Sequence, residues 1–148
     1  MKYKVYQGTV LKTTVTSKTT NITGLAPLTS YTFGVVANNG LRDSAKASLT
    51  VKTRGVRFVI PKALTVGATI TLRYQEYSLG LVPIGNEPAG MFGGGNNANL
   101  SAKVITTGAT STVELTSTNA SFADGTKLNQ LPDGSFGAFN GAKAIYFG

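Results

Sequence analysis

Apolar and polar residues alternate along most of this chain, the period of a strand with one buried and one wet face. After Pro27, Tyr31, Phe33, Val35 and Ala37 fall on one side of an extended run, with Thr32, Gly34, Val36 and Asn38 on the other. Asn38, Asn39 and Gly40 tolerate positive φ, which predicts a hairpin turn. Over Ser44–Thr53 the alternation is cleaner: Ala45, Ala47, Leu49 and Val51 oppose Lys46, Ser48, Thr50 and Lys52. That pattern predicts a strand buried on one face. Upstream, Tyr3–Thr9 and Val10–Thr16 read as short strands with a turn near Gly8, and Thr19–Thr23 as a further strand running into Gly24. Five short strands with turns every eight to twelve residues or so describe part of a β-sandwich.

Beyond residue 54 the same period returns. Val56–Ile60 is a short strand ended by Pro61, and Ala68–Tyr77 alternates Ile70, Leu72 and Tyr74 against Thr69, Thr71 and Arg73. Residues 78–99 hold two prolines and six glycines without periodicity, which predicts a long loop. Such loops in compact domains are usually functional or held by a partner. Leu100–Thr107, Ser111–Ser117 and Ala142–Gly148 are again strand-like, with turns at Gly108, Asp124-Gly125 and Asp133-Gly134. The expected fold is all-β: an incomplete sandwich over 1–54, then a β-rich domain over 55–148, a second small sandwich or barrel-like region carrying the loop.

Composition sharpens this picture. The chain has 148 residues, enough for one ordinary domain or two very small ones. It contains no Cys and no His, which removes disulfides, thiolate nucleophiles, histidine bases and most zinc sites. No signal peptide and no apolar run of membrane-spanning length is read in it. The net charge of +8 is lopsided: residues 1–62 carry ten Lys or Arg against Asp43 alone. Lys2, Lys4, Lys12, Lys46, Lys52 and Arg54 form a candidate basic surface, suited to an acidic neighbour or to simple solvation.

One stretch carries a family resemblance. Leu25, Pro27, Thr29 and Tyr31 spell L-x-P-x-T-x-Y, which resembles the corner between strands E and F of a fibronectin type III domain. The resemblance covers roughly residues 2–54. It implies that Leu25 closes strand E into the core, Pro27 presets the turn, and the Tyr31 hydroxyl is tied to nearby backbone as a tyrosine corner. The chain departs from that family in lacking strands A and B, and it has no Trp. A sandwich short of two strands would expose a sheet edge and an apolar face, to be covered by the second half or by another subunit, unless the chain is a fragment of something longer.

Candidate chemistry is sparse. The glycine-rich run around Phe92 lacks the Gly-Lys-Ser/Thr ending of a phosphate loop. Asp124 and Asp133 read as turn residues rather than calcium ligands, and no two of the acids stand out as a glycosidase pair. The expectation is therefore no catalytic residue, no metal and no cofactor. Pro88, Met91, Phe92, Asn96 and Asn97 are the candidate contact or ligand residues of the loop. The basic half lacks the stacking aromatics of a single-strand binder, which argues against nucleic acid. In composition and module the chain resembles small bacteriophage virion proteins. That implies a non-enzymatic structural component of tail, baseplate or capsid surface, homo-oligomeric or in a lattice, partnered by other virion subunits and by no membrane. The alternative is a carbohydrate-binding module of a secreted bacterial protein or phage adhesin, meeting a cell-surface glycan.

Overall fold

The computed structural model describes the backbone of residues 1–77, 93–117 and 120–148, and the side chains of these except at 77 and 93–96. Every regular element among them is a β-strand, as the alternation predicts. The chain divides into two compact units, Met1–Thr53 and Arg54–Gly148.

The first unit is one antiparallel sheet. Strands β1 (Lys2–Gln7), β2 (Val10–Val15), β3 (Ser30–Asn38) and β4 (Ala47–Lys52) lie in the order β2-β1-β3-β4. Gly8, at φ 61°, makes the tight turn between β1 and β2 that a side chain would resist. Register sets the faces: Val5 lies opposite Val35, Phe33 opposite Leu49, and Tyr31 opposite Val51, so these side chains share one face. Lys2, Lys4 and Lys52, opposite Asn38, Val36 and Ser30, share the other. In β2, Lys12 is the extra residue of a bulge, unpaired between Leu11 and Thr13.

Two expectations need correcting here. Thr19–Thr23 joins no strand, so the sheet has no second layer of its own. Thr-rich alternation fits a strand, but without a neighbour to complete its ladder the segment stays irregular. The strand foreseen over Ser44–Thr53 is trimmed to β4, and all six of its residues are exposed on both faces. Leu49 is 67 % exposed and Val51 39 %. Alternation marked which side is apolar, not whether anything covers it.

The second unit has eight strands: β5 (Arg57–Ile60), β6 (Thr69–Tyr77), β7 (Gly93–Thr106), β8 (Ser111–Leu115), β9 (Thr126–Lys127), β10 (Asn129–Gln130), β11 (Phe136–Asn140) and β12 (Lys143–Phe147). Their order is β10-β11-β12-β6-β7-β8-β5-β9. The two ends of that order, β9 and β10, are one stretch of chain. β9 pairs with β5, β10 pairs with β11, and between them the Leu128 amide donates to the Val59 carbonyl at 2.8 Å. The sheet thus curls round and nearly closes as a barrel. Phe58, Ile60, Leu72, Val113, Leu115, Leu128 and Ile145 point inward and are buried. Ser111 is buried with them, and its hydroxyl accepts from the Leu64 amide and donates to the Lys62 carbonyl.

The loop expected over 78–99 is shorter than its composition suggested. Gly93–Asn99 belong to β7, with Gly93 opposite Tyr77 and Asn97 opposite Gln75. Glycine and asparagine carry no apolar period, yet their backbones complete the ladder of β6. Residues 78–92 lie outside the described residues.

Candidate interaction surface

The apolar face of the first sheet forms an open trough of about 540 Å³. Tyr3, Val5, Phe33, Val35 and Val15 make its floor and Ser17–Thr20 with Ile22 its wall. In this unit, among the described residues, Val5 and Val36 are the buried apolar side chains. Val35 stays 39 % exposed in the middle of the floor. A contiguous apolar surface of this kind marks a contact site more often than a solvated one.

The Leu25–Tyr31 corner stands at one end of β3. The Ala26 amide donates to the Tyr31 hydroxyl at 2.9 Å, and the Thr29 hydroxyl donates to the Pro27 carbonyl at 2.9 Å. Leu25 and Pro27 are half-buried. Leu28, between the motif positions, has φ 52°, unusual for a side chain of its size. Thr53 was not foreseen. Its hydroxyl donates to the Ala26 carbonyl at 2.6 Å and accepts from the Thr29 amide at 3.0 Å, so it fastens the corner to the residue after β4. Its position just beyond an alternating strand is the one sequence signal it offered.

The basic residues differ in what they meet. Lys4 pairs with Asp43 at 2.8 Å, and Asp43 also accepts from the Asn38 side-chain amide. The hydrogen bond to Asp43 raises the Lys4 pKa, and the bonds from Lys4 and then Asn38 lower that of Asp43. Lys46 lies over the Tyr6 ring at 4.5 Å and donates to the Gly8 carbonyl. Arg54 is bound bidentately to Asp124, at 2.9 and 2.5 Å, within the second unit. Lys2, Lys12 and Lys52 are exposed.

In the second unit Asp124 is a fastening point. Besides Arg54 it accepts from the Arg57 amide at 2.9 Å, and the Arg54 bond above all, then the Arg57 amide, holds its carboxyl at about 2. Arg57 in turn donates to Glu114, its cross-strand partner, at 2.8 Å. The Asp133 carboxyl is lowered by the Ser135 hydroxyl and amide that it accepts from. Both aspartates therefore hold turns together. Of the loop candidates, Asn97 lies exposed in β7 and Asn96 lies in the same strand, while Pro88, Met91 and Phe92 fall outside the described residues.

The sequence model of the baseplate upper protein immunoglobulin-like domain matches residues 49–148, two thirds of the chain. The chain belongs to this baseplate family. The match begins within β4 and takes in the whole barrel-like unit. Residues 49–148 are thereby an immunoglobulin-like domain of a phage baseplate kind. A second similarity is to chitinase A1 of Niallia circulans, 40 % identical over 84 residues, covering 51 % of this chain and 12 % of that protein. The chain thus corresponds to a small part of that relative. No solved structure matches it.

Proposed function

We propose that this protein is a non-enzymatic structural component of a bacteriophage virion, placed at the tail baseplate and acting through contacts with other subunits. Two regions divide the work: residues 1–54, a fibronectin type III-like sheet, and residues 55–148, the baseplate immunoglobulin-like domain. The observation that carries the reading is the family match over residues 49–148. The open trough supports it, because a sheet with an uncovered apolar face is built to meet other polypeptide. Homo-oligomeric or lattice assembly and adhesion to a host surface are the finer parts of the same proposal.

Mass spectrometry and electron cryomicroscopy of purified particles of the phage that encodes the chain test it. The expected result is several copies per particle, with density of this fold at the baseplate. Recovery of the protein only from the soluble part of the lysate would reject it. A carbohydrate-binding role is the second reading, favoured by the similarity to a protein named as a chitinase. It expects retention on chitin beads that Phe92→Ala weakens, and equal passage of both proteins through the beads dismisses it.

A further inference from the structure

Thr20–Leu25 gives Thr20 and Ile22 to the wall of the trough and joins no strand. Among the described residues, no backbone–backbone hydrogen bond engages these six, whereas the next amide, that of Ala26, is taken by Tyr31. Backbone donors and acceptors seek partners wherever water is displaced, so such a segment is an open half-ladder. Its side chains already alternate: Asn21 and Thr23 are exposed, and Ile22 between them is half-buried. Ile22 lines both the trough and a smaller 230 Å³ hollow that it shares with Lys12 and Thr13. An unpaired backbone beside an apolar groove offers what strand addition uses, where main-chain bonds give affinity and alternate pockets give selectivity.

We propose that the trough and the Thr20–Gly24 backbone form the docking site for one β-strand of a protein partner, alternately apolar and acidic. The site deepens the assembly role, and rests on it for its biological setting. The apolar side follows from the floor of Tyr3, Val5, Phe33 and Val35. A strand of about six residues turns about three side chains to one face, a fair load for a trough of about 540 Å³. The acidic side follows from the charges around the segment. Lys12 stands on one flank and Lys18 on the other, and among the described residues neither meets a carboxylate. Seven basic side chains against Asp43 give this unit a net charge of +6. A second copy would bring the same charge to the contact and be repelled, while an acidic strand is drawn in.

The test titrates the full 148-residue chain with three fluorescent peptides, of repeating Val-Glu, Val-Lys and Ser-Glu, and follows amide exchange by NMR. Saturable binding of the Val-Glu peptide is expected, with the other two at least tenfold weaker and exchange slowed at Ile22 and Gly24. Lys12→Glu with Lys18→Glu, both at exposed sites, should weaken binding about tenfold at low salt. Ile22→Pro and Val35→Lys should remove it, with exchange in β1 and β3 of the same unit unchanged as the control for folding. Equal binding of Val-Glu and Val-Lys peptides overturns the proposal, as does no binding by the folded chain. So does a chain that is already a dimer by light scattering with Thr20–Gly24 protected, or protection of those amides by chitotriose instead. These readouts need no virion, so a protein that binds the peptide yet is missing from particles keeps the site and loses the baseplate role.

Discussion

Single atoms decide several features of this molecule. The Tyr31 hydroxyl serves one amide, that of Ala26, whereas the Thr53 hydroxyl serves the Ala26 carbonyl and the Thr29 amide together. A net hydrogen bond is worth about 1 kcal/mol, so Tyr31→Phe should destabilise the first unit by about that much in urea unfolding. Thr53→Val should cost more, because it strands two backbone groups at once. A larger effect of Tyr31→Phe than of Thr53→Val would show that the Tyr31 hydroxyl, not that of Thr53, is the stronger tie of the corner. Gly55 is constrained in a different way. It is buried, and a Cβ there would overlap the Leu115 carbonyl oxygen, a backbone atom that cannot swing aside. Gly55→Ala is expected to cost about 1–3 kcal/mol, read as a lower urea midpoint of the barrel unit.

At the scale of elements, the alternation of apolar and polar residues marked most of the longer strands: β3, β6 and β8 lie within predicted runs, and β1 overlaps one with its start a residue earlier. Its limits have physical causes. Alternation is a local pattern, but a strand exists only if a neighbour completes its ladder, which Thr19–Thr23 lacks and the glycine-rich start of β7 possesses. The short strands β9 and β10 are invisible to any period, since two residues cannot alternate and their partners are far away in sequence. The trough was legible only as an expected gap, because an apolar stripe does not say which side lacks a cover. The barrel's closure can be tested at Leu128, which is 2 % exposed between β9 and β10. Leu128→Ala should cost about 2–5 kcal/mol by heat or urea unfolding, and a change near zero would mean that the seam contributes little. Asp124 makes the same unit acid-sensitive. Its carboxyl falls from 3.8 to about 2 on folding. Its contribution is complete above the unfolded value and is lost as pH drops through about 2. With roughly half of each partner's side chain in solvent, the effect should be small and reduced by salt. Melting temperature measured from pH 5 to 2 should decline less steeply for Asp124→Asn than for the parent.

On the scale of the whole chain, the two units differ in how much each keeps inside. The first buries Val5 and Val36, while the second buries most of its large apolar residues among the described ones. Burial of apolar surface is the main favourable contribution to folding, so amides of the first sheet should exchange faster than those of the barrel. Comparable protection in both would mean that something covers the trough in solution. Near-closure of the barrel also fixes the valence of the protein. A ring of strands offers few places to add another, so growth by backbone pairing falls to the first unit, where Thr20–Gly24 joins no ladder and the outer strands β2 and β4 have no further partner among the described residues. The chain can thus be strung into a larger structure through its first unit without the second sticking to whatever lies nearby.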